Sequence, residues 1–258
     1  MSGSRLDATG IRRYEKMPED LPPAIIFDLD DTILSDDEAS EMCWRQVCDD
    51  FAHRITAGTP AELATVIREY QCWYLFDPER IRDIGNDVGR AWREILSLAF
   101  DRQGIENVPL EKEMTAAYMS LKAETVRLIP GALDTLRSLR AQGIRLGLIT
   151  NGDAQGQRSK VVKAGLEPLF ESVLIAGEFG AAKPDPEVFR HTLSRLEATP
   201  ELAWMVGDNL VTDIGGAQAV GIYGVWVDRQ GQGLPTGNTF TPDRTIRSIV
   251  ELVNGTVN

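Results

Sequence analysis

The sequence lacks any apolar run approaching the roughly 20 residues that a bilayer-spanning helix needs. Its opening stretch, MSGSRLDATGIRRYEKMPED, has no apolar signal-peptide core. Cysteine is scarce. Cys43, Cys48 and Cys72 cannot all pair within one chain, and Cys43 and Cys48 fall in a helical-looking segment at no zinc or redox spacing. Buried or half-buried free thiols in a reducing compartment, the cytoplasm, are expected. The two histidines, His53 and His191, lie in helical stretches away from every motif below and are expected to be structural. Basic charge is also short, with 27 Lys and Arg against 39 Asp and Glu, for a net charge of −12. That balance excludes a nucleic-acid backbone as the main partner, because phosphate tracks need clustered Lys and Arg. A small phosphorylated ligand stays open, since a local divalent cation and one or two basic side chains outweigh a global field.

What is present is a chain of 258 residues, 43% apolar, long enough for one large domain or a domain with a sizeable insertion. From residue 130 onward, β-type runs alternate with helical patterns. IRLGLIT, SVLIAG, AWMVGD and IYGVWV read as strands, and AIIFD near residue 24 as a first strand of the same sheet. Between them PGALDTLRSLRAQG reads as a helix with Pro130 at its first position, GQRSKVVKAG as another, and PEVFRHTLSRL as a third capped by Asp185. TIRSIVELVNG reads as a closing amphipathic helix. Near-continuous apolar strands alternating with helices predict an α/β fold, a Rossmann-like parallel sheet covered on both faces. Residues 36–125 hold no comparable strand and four helical patterns, so an all-helical domain is expected there, inserted into a core of 21–35 and 126–258. Residues 1–20 are expected to form a flexible leader.

In open parallel sheets, ligands bind beyond the carboxyl ends of the strands. The residues that follow each predicted strand therefore sample the site. Asp28, Asp30, Asp31 and Thr32 follow the first, and Thr150, Asn151 and Gly152 the second. Lys183 follows the third, and Gly207, Asp208, Asn209 and Asp213 the fourth. Like charges crowded this closely raise the cost of ionising one another, so the carboxylates of FDLDD call for a cation among them or for one to do chemistry. Carboxylates, a hydroxyl, an amine and backbone amides at one edge suit phosphoryl transfer. Asp31 and Thr32 fit a turn and cap. An EF-hand loop starting at Asp28 would need Gly at 33 and Glu at 39, where the chain has Ile33 and Ala39.

FDLDDT, LITNG, the lysine of AAKPDP and GDNLVTD resemble, in order and strand context, the four motifs of the haloacid dehalogenase superfamily, over residues 24 to about 228. The resemblance implies the phosphatase branch, with the helical insertion serving as a cap. It implies Asp28 as nucleophile, forming an aspartyl-phosphate, and Asp30 as the acid that protonates the leaving oxygen and then the base for water. Mg2+ would take Asp28, Asp208 and the Asp30 backbone carbonyl. Thr150 and the amide of Asn151 would bind phosphoryl oxygens, and Lys183 would offset negative charge on nucleophile and phosphate. Asp213 would stand behind them, holding Lys183 or a metal-bound water, with Asn209 beside it. Asp30 favours ester hydrolysis over halide displacement, since halide leaves without a proton. The expected protein is a Mg2+-dependent phosphatase of a small phosphorylated metabolite, a monomer or homodimer with no nucleic-acid or membrane partner. A phosphomutase or 2-haloacid dehalogenase of the same superfamily, or a receiver-like phospho-accepting module, are the alternatives.

Overall fold

The computed structural model describes residues 4–6, 12–14, 21–75, 80 and 88–254. Within the expected leader, β1 (Ser4–Leu6) and β2 (Arg12–Tyr14) pair antiparallel, and the rest of residues 1–20 lies outside the described set. The chain divides into two compact units, one of Met1–Leu34, Leu128–Asn151 and Gln157–Asn258, the other of Ser35–Arg127 and Gly152–Gly156. The chain passes between them at β4 (Leu34–Ser35) and β5 (Arg127–Leu128), and again on either side of Gly152–Gly156.

The first unit is built on β3 (Ala24–Phe27), β6 (Arg145–Thr150), β7 (Ser172–Ile175), β8 (Ala203–Gly207), β9 (Tyr223–Val227) and β10 (Arg244–Ile246), in the order β10-β9-β8-β3-β6-β7. Every adjacent pair is parallel. The central strands are almost wholly buried because helices cover both faces, and AIIF is buried at all four positions. Phe27 is level with Leu148 on one neighbour and Val206 on the other, so β3, β6 and β8 end within two residues of one another at the centre of the sheet. That is where the strand order reverses, the usual location of a ligand crevice. On one face the helix Pro186–Arg195 packs Val188, Phe189 and Leu193 against Ile26, Ile149 and Met205. The approach is close enough that a methyl group on Gly147 would lie 2.8 Å from Thr192 Cγ2.

Two expectations need correction. The tail is not one amphipathic helix. Arg244–Ile246 instead extends the sheet, with Thr245 opposite Trp226, and only Glu251–Asn254 is helical. The open edge of β9 offers a ladder of unpaired backbone groups, and pairing it outweighs the local helical pattern of TIRSIV. Nor does Pro130 occupy the first helical position. Gly131 follows it at φ +80°, a left-handed conformation outside the helix, and the helix runs Ala132–Ala141.

The second unit consists of the helices Asp37–Asp50, Pro60–Leu75, Val88–Gln103 and Val108–Thr125. Its centre is aromatic. Trp44 stacks on Tyr118 at 4.0 Å between ring centroids, and Trp92 meets Tyr118 edge-on at 4.8 Å. The Tyr118 hydroxyl reaches Ser40 Oγ at 2.7 Å, which satisfies both buried groups. Lys122 lies 5.0 Å from the Trp92 ring centroid and pairs with Asp36 at 2.6 Å. Cys43 and Cys48 are buried here, and burial with the nearby Asp49 charge pushes the Cys48 thiol up to about 12. Cys72, expected to be at least half-buried, is exposed, as is Trp73 on the same helix. Among the described residues no helix is long and apolar enough to cross a membrane.

Candidate active site

The site assembles within the first unit, at the ends of β3, β6 and β8. The regular strand ends at Phe27, yet the Asp28 amide still donates to Val206 O at 2.9 Å. Asp28 therefore stands on backbone fixed by the sheet, and only 7% of it is exposed. Beyond it the chain turns, with the amides of Ile33 and Leu34 both donating to Leu29 O. Asp31 takes φ +56°, which Asp tolerates better than most residues, and its carboxylate pairs with Arg229 at 3.1 Å. The turn reading of Asp31 agrees with this geometry. Thr32 is buried.

Lys183 arrives from the loop after the short helix Ala176–Phe179. Its ammonium lies 2.5 Å from Asp28 Oδ1 and 2.7 Å from Asp213 Oδ1, and all three side chains are nearly sealed from solvent. The loop is held from the end of β6, where the Asn151 side chain donates to Lys183 O and accepts from Lys183 N, both at 2.9 Å. Asn209 accepts from the amides of Val211 and Thr212, capping the π-helical segment Leu210–Gly215 that carries Asp213. The Asn209 amide donates to Asp213 Oδ2 at 3.0 Å. Asp208 stands between these elements, its carbonyl accepting from Trp226 Nε1 at 2.7 Å.

Electrostatics follow from this packing. Carboxylate oxygens of Asp28, Asp208 and Asp213 lie within 4.8 Å of one another, an acidic group able to hold a metal ion. Burial raises the Asp28 carboxyl to about 7, with Asp213 and Asp30 adding to the shift against the pull of Lys183. Burial likewise raises Asp208 well above the ordinary carboxylate range, reinforced by Asp28, Asp213 and Asp31. Burial alone would lower Lys183, but the Asp213 and Asp28 charges outweigh it and hold the ammonium protonated. One ammonium thus faces three carboxylates, and two of these hold protons more tightly than free carboxylates do. A hard dication bound by oxygen ligands would supply the missing positive charge, so the donor set fits such an ion.

Asp30 and Thr150 meet through a residue that the sequence reading passed over. Gln157, buried in the helix Ala154–Lys163, directs Nε2 to Asp30 Oδ2 at 2.7 Å, Thr150 Oγ1 at 2.7 Å and Asn151 O at 2.8 Å. Three residues along, Lys160 reaches Asp30 Oδ1 at 2.8 Å and Oδ2 at 2.9 Å. Arg229, the Asp31 partner, was passed over too. GQRSKVVKAG signals Gln157 and Lys160 only weakly, through spacing that places both on one helix face.

Comparison with known proteins gives the same direction. Residues 22–221 match the model of a hydrolase family described as haloacid dehalogenase-like. A glyceraldehyde 3-phosphate phosphatase of Pyrococcus furiosus is 32% identical over 205 residues, 78% of this chain and 79% of that protein. A phosphoserine phosphatase of Thermus thermophilus is 32% identical over 252 residues, 88% of this chain and 96% of that protein. A magnesium-bound haloacid dehalogenase-type hydrolase of Bacillus subtilis shares the fold, with a TM-score of 0.73 at 24% identity over 93% of this chain and all of that one. With its motif residues gathered at one sheet edge and its family match spanning most of the sequence, the chain belongs to the haloacid dehalogenase-like hydrolases.

Proposed function

We propose that the protein is a Mg2+-dependent phosphatase that moves the phosphoryl group of a small phosphorylated metabolite first to Asp28 and then to water. The observation that carries this reading is the buried Asp28 carboxylate, 2.5 Å from Lys183 and grouped with Asp208 and Asp213. Relatives named for phosphoserine and glyceraldehyde 3-phosphate support a small anionic monoester. Asp28, Asp208 and the Asp30 carbonyl would hold Mg2+, which neutralises charge on nucleophile and phosphate when bound.

The chain's own groups supply the rest. Asp28 forms a bond to phosphorus while the ester P–O bond breaks, and the proton on the Asp30 carboxyl passes to the departing oxygen, which leaves as an alcohol. Water then attacks the aspartyl-phosphate. Asp30 takes a proton from that water, and Asp28 is released with inorganic phosphate. Thr150 and the Asn151 amide donate to phosphoryl oxygens, and Lys183 stabilises their charge. Asp30 also weighs against halide displacement, which needs no acid. The helical unit serves as the cap that selects substrate, and the free thiols suit a reducing cytoplasm.

Phosphate release from a panel of phosphorylated metabolites, with Mg2+ and with chelator, tests the reading. Metal-dependent turnover is expected, together with its loss in Asp28→Asn. Full activity in Asp28→Asn excludes the proposed nucleophile.

A further inference from the structure

We propose that Gln157 and Lys160 are positioning residues that aim the Asp30 carboxyl at the leaving group and couple it to the phosphate-binding hydroxyl of Thr150. The inference rests on the phosphatase reading above and extends it to residues outside the four motifs.

Gln157 is 4% exposed, so the burial of its amide has to be offset by hydrogen bonds. Its Nε2 faces three acceptors at 2.7–2.8 Å with only two hydrogens to give, so one hydrogen is shared. All three acceptors belong to the site: the Asp30 carboxylate, the Thr150 hydroxyl and the Asn151 carbonyl. Because the amide nitrogen is a donor only, Thr150 Oγ1 accepts from it. The hydroxyl hydrogen is then directed elsewhere. In this structure Oγ1 points it to Asn151 O at 3.3 Å, a long bond that a phosphoryl oxygen can replace.

The carboxylate is held asymmetrically. Among the described residues, Asp30 Oδ2 receives both Gln157 and Lys160, whereas Oδ1 receives Lys160. The carboxyl is thereby gripped at both oxygens, Oδ2 more firmly than Oδ1. Two donors from one rigid helix face also fix the carboxyl plane. Proton transfer needs that alignment, because a displacement of about 1 Å at a reacting group costs on the order of a hundredfold in rate. Without Gln157 and Lys160 the carboxyl rotates freely, and the proton arrives from a distribution of angles.

The test exploits what an acid does. Protonation matters for a basic leaving oxygen and hardly at all for a stable phenolate. The measurement is kcat/KM, which covers every step through leaving-group departure even where a later step limits kcat. The probes are 2,4-dinitrophenyl, p-nitrophenyl and phenyl phosphate with saturating Mg2+, for wild type, Gln157→Leu, Lys160→Met and Lys160→Arg. Each of the first two variants is expected to lose about ten- to a hundredfold on phenyl phosphate, within the range that general acids supply. On 2,4-dinitrophenyl phosphate the loss should stay below about threefold, so the plot of log kcat/KM against leaving-group pKa steepens. Lys160→Arg should restore most of the phenyl phosphate rate. Lys160 is partly exposed, so its Met variant will fold even if Gln157→Leu does not. Equal losses on all three esters, or none on any, overturn the positioning role. Failure of the enzyme reading looks different: wild type would turn over none of the esters, or Asp28→Asn would turn over all of them.

Discussion

Asn151 clasps the Lys183 peptide from both sides, its amide nitrogen donating to Lys183 O and its amide oxygen accepting from Lys183 N, each at 2.9 Å. The ends of β6 and of the loop after β7 are thereby locked together, and the lysine is aimed at Asp28 by its backbone as well as by charge. Asn151→Ala removes both bonds and strands two peptide groups, a loss of about 1–3 kcal/mol for each group left buried without a partner. The expected result is a lower unfolding midpoint in urea and a fall in kcat of about ten- to a hundredfold as Lys183 loses register. Asn151→Asp, which keeps the acceptor and loses the donor, should fall between the two. An alanine variant with wild-type kcat would show that Lys183 is held by its carboxylate partners alone.

The raised carboxyls give the stability of the metal-free protein a distinctive pH dependence. Asp28 titrates near 3.8 in an unfolded chain and at about 7 in the fold, so between those values the folded state binds a proton that the unfolded state has released. Stability from this group is fully present below the unfolded pKa and is lost as pH rises through the folded one. Asn at this position carries no charge at any pH. After chelation, the Tm of wild type minus that of Asp28→Asn should therefore decrease steadily from about pH 4 to about pH 7. Mg2+ bound as proposed at Asp28 would displace the same proton, so the Tm gain on adding it to wild type should grow over the same interval. A wild-type-minus-variant difference that is flat with pH, or a Mg2+ gain that shrinks as pH rises, contradicts the assignment.

The parts legible in the sequence were those set by short-range pattern. AIIF, RLGLIT and AWMVG carry apolar residues on both faces, which marks strands buried on two sides, and Asp28, Asn151 and Asp208 come directly after them. Because a parallel sheet gathers strand ends, Asp28, Lys183, Asp208 and Asp213 could be placed together without knowing a single contact. Gln157 and Lys160 could not. Polar residues on a helix usually mark its wet face, and only the adjacency of β3 and β6 turns this face onto Asp30. Arg229 meets Asp31 across nearly the whole core sequence, a pairing with no local signal. Trp73 lies 51% exposed on the helix whose Tyr74 is buried, so aromatic character alone does not tell which face a helix turns inward. Arg244–Ile246 became a strand because β9 had an edge to fill, a fact of topology rather than of those three residues.

Gly207 ends β8, and a Cβ there would run into Asp213 Oδ2 and stand 2.5 Å from its Cγ and 2.7 Å from its Cβ. Asp213 cannot retreat without loss, since Lys183 holds Oδ1 at 2.7 Å and the Asn209 amide holds Oδ2 at 3.0 Å. Gly207→Ala therefore has to shift the π-helical segment or break the Asp213–Lys183 pair. Overpacking of this kind costs about 1–3 kcal/mol, and the displaced lysine should lower kcat as well. A double-mutant cycle isolates the cause. Asp213→Ala removes the two shortest of the three contacts, so the stability cost of Gly207→Ala should be at least about 0.5 kcal/mol smaller in that background than in wild type. Additive costs would mean that β8 itself, and not Asp213, rejects the methyl group.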